Sequence, residues 1–232
     1  MLGSSRFLRN SACPKCRSSG RDRKGDNLGN WEDGSLWCWS CGYSKKGMST
    51  RPQEALEKPL EAFSRWSQGL PAKHIENLVA RGFKPSEWKD FLYDYSWDRR
   101  IYPVYSGKEL VFYEARSLDQ QPKAIQKGQK PLHVLGSGKR LVMVEDLLSA
   151  IKVARFERAL PLWGSSLVKD WIPYLIGQKC PIIVWLDADK LKTAYNIANT
   201  LSLVGIETSV VHTEQDPKDL SDEDIKKCLD KD

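Results

Sequence analysis

The 232-residue chain carries 36 Lys and Arg against 30 Asp and Glu, a formal net charge of +6, with 41% hydrophobic and 28% charged residues. A prior of roughly 150 residues per domain points to one or two folded units, and the composition excludes wholesale disorder and collagen-like repetition. No apolar run approaches the ~18–20 residues of a membrane span, and the N-terminal MLGSSRFLRNSACPKC lacks the apolar core of a signal peptide. The expectation is a soluble, non-secreted, cytoplasmic protein with no membrane partner.

The charge is unevenly placed. Residues 1–51 hold ten Lys and Arg against four Asp and Glu, whereas residues 213–232 are net −4. A basic N-terminal segment with an acidic tail suits a polyanion-binding end and a solvated end. Four of the six cysteines lie at the basic end: Cys13-x2-Cys16, twenty-one intervening residues, then Cys38-x2-Cys41. Two such knuckles let four thiolates converge tetrahedrally on one Zn2+. Pro14 and Lys15, Trp39 and Ser40, and Gly42 directly after Cys41 suit tight turns around a metal. So few residues build no core unaided, and the metal supplies the folding free energy. Cys180 and Cys228 read as ordinary reduced thiols.

A zinc ribbon is therefore expected over residues 8–48. Trp31, Trp37 and Trp39 fall in one nine-residue stretch, beside Arg17, Arg21, Arg23, Lys24, Lys45 and Lys46. Rings and cations together resemble a stacking surface for single-stranded bases, with at least one Trp expected to fill the ribbon's small core. Residues 49–60 read as a polar, Pro-containing linker. Helices are expected over LPAKHIENLVARG (70–82), bracketed by Pro71 and Gly82, and over SEWKDFL (86–92), capped by Ser86. Strands follow at IYPVY (101–105) and ELVFYEARS (109–117), joined at Ser106-Gly107.

From about residue 139, strands and helices alternate. LVMVE (141–145), ALPLW (159–163), PIIVWLD (181–187) and IETSVVH (206–212) read as strands. Between them lie helical DLLSAIKVARF, VKDWIPYLI and KLKTAYNIANTLSLVG, and SDEDIKKCL closes the chain. This order implies a parallel α/β sheet with covered faces, within a chain that is α+β overall. Ligands bind such sheets beyond the carboxyl ends of the strands, and acids gather there: Glu145, then Asp187 and Asp189, then Asp216 and Asp219. Carboxylates in this arrangement suit Mg2+ or Mn2+. The string Gly136-Ser137-Gly138-Lys139-Arg140 lacks the spacing of a phosphate-cradling P-loop.

Glu145 on a hydrophobic strand, Leu186-Asp187-Ala188-Asp189 on another and Asp216-Pro217-Lys218-Asp219 after a third resemble a TOPRIM domain. With the ribbon ahead, the order is similar to that of bacterial and bacteriophage-type DNA primases, above all small phage forms without a helicase. The resemblance covers about residues 8–230. It implies a template-binding ribbon (8–48), a linker (49–60), a basic N-terminal subdomain of the polymerase core (61–138) and a metal-binding catalytic TOPRIM subdomain (139–232). It also implies that Glu145, Asp187 and Asp189 do catalytic and metal work, that Asp216 and Asp219 join them, and that Arg116 and Lys123 contact template and nucleotide. The implied activity is primer synthesis from NTPs on single-stranded DNA in phage or plasmid replication, with structural zinc, catalytic Mg2+ or Mn2+, and a separate replicative helicase as partner. Two departures stand out: Asp146 replaces the family's Gly after the catalytic Glu, and Pro122-Lys123-Ala124 replaces its Pro-Lys-Tyr. A TOPRIM nuclease and a non-catalytic RecR-like DNA-binding repair protein are the competing readings.

Overall fold

Three sheets, each with its own pairing logic, make up the fold. The computed structural model describes residues 6–45, 60 and 65–230; the linker expected at 49–60 lies outside these apart from Leu60. At the N-terminus, β1 (Phe7–Ser11), α1 (Pro14–Ser18), β2 (Leu28–Trp31), β3 (Leu36–Cys38) and β4 (Ser44–Lys45) form the ribbon. Its sheet is antiparallel, in the order β1-β2-β3-β4. Buried Cys13, Cys16, Cys38 and Leu28 form its small interior.

The middle of the chain forms β5 (Trp66–Gln68), α2 (Ala72–Ala80), β6 (Leu92–Asp94), β7 (Arg99–Ser106), β8 (Glu109–Arg116) and β9 (Ala124–Gly128). The five strands run as an antiparallel meander, β5-β6-β7-β8-β9. Ile101, Leu110, Tyr113 and Ala115 form the core of one face, with Trp66, Leu92, Trp97 and Ile125 packed around them. The helix expected over 86–92 is instead a single 3-10 turn at Pro85–Glu87, closed by the Lys84 N–H donating to the Glu87 carboxylate at 2.7 Å. Leu92 enters β6, where pairing with both β5 and β7 outweighs local helix propensity.

The C-terminal part follows the alternating pattern: β10 (Leu141–Val144), α3 (Leu147–Val153), β11 (Arg158–Pro161), α4 (Ile172–Gln178), β12 (Ile182–Trp185), α5 (Leu191–Leu203), β13 (Thr208–Val210) and α6 (Asp222–Asp230). The sheet order is β11-β10-β12-β13 and every pair is parallel. LVMV and IIVW are buried along their whole length, as expected of strands covered on both faces. Full burial of each such side chain contributes about 1.5–3 kcal/mol, so any polar group on these strands is pushed to their ends. By packing, the chain divides into two units. One comprises Met1–Glu54, Val134–Pro217 and Asp222–Asp232; the other comprises Ala55–His133 with Lys218–Ser221.

Glycine is required at two positions of the meander, the β7–β8 turn and the end of β9, for different reasons. Gly107 has φ +64° in open space, whereas Gly128 has φ +90° and an added Cβ would stand 2.2 Å from the Val111 carbonyl oxygen. Gly107→Ala should therefore destabilise by about 1–2 kcal/mol, the cost of a left-handed backbone. Gly128→Ala should exceed about 3 kcal/mol, because backbone must move. Thermal unfolding of the two variants checks the ranking; equal losses would contradict it.

Candidate functional site

The first cysteine pair is built on a helix start and the second on a strand end. Cys13 caps α1, with the Arg17 N–H donating to its carbonyl at 2.8 Å, and Cys16 lies one turn on. Cys38 ends β3, and the Gly42 N–H closes the second knuckle on its carbonyl at 3.1 Å. The four sulfur atoms lie within 4.8 Å of one another. Cys13 and Cys41 Sγ are 3.6 Å apart, as are Cys16 and Cys38 Sγ. Four ligands at ~2.3 Å around a tetrahedral Zn2+ stand about 3.8 Å apart, so the cage has the size of a single zinc ion. An all-thiolate donor set also selects a soft-accepting metal of that kind.

Burial pushes the Cys38 thiol up to about 12 and the Cys16 thiol above its ordinary value. The Tyr43 N–H brings Cys41 down to about 7. Two thiols therefore resist ionisation until a cation compensates them. Asp22 braces the cage from behind. Burial alone would raise this carboxyl, but the N–H groups of Cys13, Asp26, Gly25 and Asn27 outweigh it and hold the group below its ordinary value.

The tryptophans divide by role. Trp31 is only 2% exposed, lying edge-on to Phe7 at 5.7 Å and against Trp39 at 5.9 Å. Gly29 makes room for both rings, since an added Cβ would stand 2.8 Å from Trp31 and 2.9 Å from Trp39. Trp31 is thus the ring that fills the ribbon, while Trp37 and Trp39 are half-buried and Arg17 is exposed on α1.

Parallel pairing sets the carboxyl ends of β10, β11, β12 and β13 along one edge. Glu145 leaves β10 there, and Asp187 stands extended before the 3-10 turn Ala188–Lys190. One oxygen of each, Glu145 Oε2 and Asp187 Oδ1, is shut off from solvent. Asp216, in the loop after β13, accepts the Ala188 N–H at 3.4 Å and so ties that loop to the Asp187 turn. Asp189 is exposed and paired with Lys190. That contact raises the Lys190 ammonium above its ordinary value, with smaller contributions from Glu145 and Asp187. Asp219 is engaged by Arg81 Nε at 3.4 Å.

Among the described residues, the cysteine cage is the one group drawing three or more potential ligand atoms within 4.8 Å of one another. Glu145, Asp187, Asp189 and Asp216 lie along the carboxyl edge of the parallel sheet. Their hard oxygen donors fit Mg2+ or Mn2+. Asp146, the departure from the family pattern, is buried and caps α3 by accepting the Ser149 N–H at 2.9 Å.

In the other unit, Arg116 Nε donates to Glu114 Oε1 at 2.8 Å, and the 3%-exposed Glu114 also accepts from Gln126 Nε2 at 2.8 Å. Lys123 is exposed, while its carbonyl accepts the Ser117 N–H at 3.0 Å and Arg99 Nη1 at 3.4 Å. Sequence reasoning missed two features. Arg100 is 6% exposed, lies directly opposite Arg116 in the β7–β8 register and rests 5.3 Å over the Phe91 ring. Its signal was a pair of arginines opening a hydrophobic strand. Trp163 (φ 54°) and Gly164 (φ 130°) buckle the chain after β11. The Gly164 N–H then donates to the Glu145 carbonyl at 2.9 Å; Gly-Ser-Ser immediately after a strand was the available cue.

No protein-family model matches the chain, and no curated protein sequence does. Solved structures do. The zinc-binding and RNA polymerase domains of the Aquifex aeolicus primase superimpose with a TM-score of 0.57 at 12% identity, covering 100% of this chain and 79% of that one. A bacteriophage T7 assembly also aligns, in which the lagging-strand DNA polymerase interacts with primase domains of two gp4 subunits bound to an RNA/DNA hybrid and dTTP. There the TM-score is 0.43 at 13% identity, covering 72% of this chain and 88% of that one. On the Aquifex aeolicus superposition, the chain has the mixed α/β fold of primase zinc-binding and RNA polymerase domains. Among the described residues, no helix is long and apolar enough to cross a membrane.

Metal analysis should find one zinc per chain, lost in Cys16→Ser. Amide exchange in residues 7–45 should then rise to near-unprotected rates while β10 and β12 stay protected. Because Cys16 and Cys38 must each release a proton on binding, zinc affinity should climb with pH between 6 and 8. A zinc-free chain with a protected ribbon, or a flat pH profile, would contradict the assignment.

Proposed function

We propose that this chain is a DNA primase: a template-directed RNA polymerase that synthesises short primers from NTPs on single-stranded DNA. The observation that carries the reading is the full-length superposition on primase zinc-binding and RNA polymerase domains. Supporting it, the chain retains both a four-thiol cage and an acid-bearing carboxyl edge on its parallel sheet. In this reading residues 8–48 bind template, residues 61–138 form the basic part of the polymerase core, and residues 139–232 form the metal-binding part.

Glu145 and Asp187 are the residues that would hold Mg2+ or Mn2+, with Asp189 and Asp216 completing the set. The bound ion supplies activation of the primer 3′-hydroxyl and charge stabilisation on the transferring phosphoryl group. The chain's own contribution is position. The Gly164 N–H donating to the Glu145 carbonyl and the Ala188 N–H donating to the Asp216 carboxylate fix the loops that carry the acids. Lys190 balances the negative edge and pairs with Asp189. Arg116 and Lys123, together with Arg100, supply fixed positive charge for template and triphosphate. Asp219, engaged by Arg81, takes an outer role. On the ribbon, Trp37 and Trp39 stack on bases beside Arg17, and Trp31 supports them from inside. Zinc is structural here. A separate replicative helicase, phage or plasmid replication and a cytoplasmic setting belong to the same proposal.

The test is synthesis of labelled oligoribonucleotides from NTPs and Mg2+ on randomised single-stranded templates. Asp187→Asn, folded as judged by unchanged thermal unfolding, should reduce synthesis at least about 100-fold, the loss of a few kcal/mol of transition-state stabilisation. Cleavage of DNA without NTPs would select the nuclease reading instead. Tight DNA binding with no synthesis, indifferent to Mg2+ and to loss of Asp187 and Asp189, would select the RecR-like one.

A further inference from the structure

The loop between the first knuckle and β2, residues 20–27, carries Arg21, Arg23 and Lys24 against Asp22 and Asp26. Its charges are not distributed as the sequence suggests, because Asp22 is turned inward and is only 7% exposed. Its Oδ2 accepts the Cys13 N–H at 2.7 Å, and its Oδ1 accepts the N–H groups of Gly25 at 2.9 Å and Asp26 at 3.1 Å. With its oxygens taken up by three backbone donors, Asp22 is turned away from the neighbouring side-chain cations and leaves them facing solvent. Arg21 Nε donates to the neutral Ser19 hydroxyl at 3.0 Å, and the Arg21 N–H ties the loop to the Cys16 carbonyl at 2.8 Å. Arg23 and Lys24 are exposed and form no ion pair among the described residues.

The loop walls a groove of about 460 Å³ whose far side is Ser40, from the second knuckle. Asn27 joins the two sides, its carbonyl accepting the Trp39 N–H at 2.8 Å. Both knuckles therefore shape one concavity, lined by three cations and a single solvated carboxylate, Asp26. A string of negative charges with hydrogen-bond acceptors at regular spacing matches that lining, and backbone phosphates supply it.

We propose that this groove seats the phosphodiester backbone of single-stranded nucleic acid, and that Asp22 is its positioning residue, holding the cationic loop on the metal knuckle through Cys13. The proposal rests on the reading of the chain as a nucleic-acid polymerase and adds to it a division of labour. The groove grips phosphates without regard to sequence, which leaves base reading to the ribbon's half-buried rings.

The test is binding of a fluorescent mixed-sequence deoxyoligonucleotide by the full-length, zinc-loaded chain over a range of NaCl concentrations. Removing one cation that neutralises a phosphate should flatten the slope of log affinity against log salt by about 0.7. Arg23→Ala and Lys24→Ala should each do so, by the same amount on unrelated sequences. Asp22→Asn, which must set an amide NH2 against the Cys13 N–H or against those of Gly25 and Asp26, should keep one zinc per chain yet weaken binding at least about 5-fold and flatten the slope. Wild-type affinity and slope in Arg23→Ala and Lys24→Ala would overturn the groove, whatever becomes of Asp22→Asn. Wild-type binding in Asp22→Asn alone, or loss of its zinc, would overturn the positioning role. Absence of oligonucleotide binding by the wild-type chain would instead sink the polymerase reading beneath it.

Discussion

Like charges held close together need a compensating opposite charge, and each part of this molecule is organised around that requirement. Four thiols within 4.8 Å of one another can ionise together only around a cation, so the ribbon's fold and its metal are one event. At the carboxyl edge of the parallel sheet, Glu145, Asp187 and Asp189 share Lys190 as a resident positive charge. In the meander, Arg100 and Arg116 face each other across β7 and β8, and the buried Glu114 stands beside Arg116 to offset them. Opposed like charges on a sheet are destabilising without such a partner. Of these three places, the carboxyl edge is where the proposed chemistry would occur.

The same requirement explains why the carboxylates of this edge sit where they do. Strands buried on both faces have no room for an uncompensated charge, and LVMV and IIVW are apolar throughout. Acids can follow these strands only at their ends, and parallel pairing puts all such ends on one edge. Backbone donors then fix the loops: the Gly164 N–H holds the Glu145 carbonyl, and the Ala188 N–H holds the Asp216 carboxylate. The edge keeps its negative charge for a ligand while its geometry is already set.

Much of this was legible in the sequence because it rests on short-range spacing. The paired C-x2-C knuckles, the apolar runs ending in Glu145 and Asp187, and Gly205 stopping α5 at φ +83° are all local patterns. What escaped depends on contacts between distant segments. The three-residue strands β5 and β6 have no periodicity of their own and exist because β7 pairs outward. The helical pattern at 86–92 lost to that pairing. Whether Trp31, Trp37 or Trp39 would be the interior ring depended on Phe7 and Gly29, which nothing in their own spacing announces. The place of Asp146 directly before a helix suits the N-cap it forms on α3, whereas nothing in its own spacing announces that Asp22 bonds to the Cys13 N–H and braces the cysteine cage.

The proposed polymerase chemistry requires a divalent-cation site at the carboxyl edge of the parallel sheet, distinct from the cysteine cage. Crystals of the zinc-loaded protein soaked in Mn2+ and NTP, with data collected on either side of the manganese absorption edge, test it directly. Manganese anomalous density is expected against Glu145 and Asp187, abolished in Asp187→Asn, with zinc density unchanged at Cys13, Cys16, Cys38 and Cys41. Manganese bound elsewhere, or an edge without density at saturating Mn2+, would contradict it.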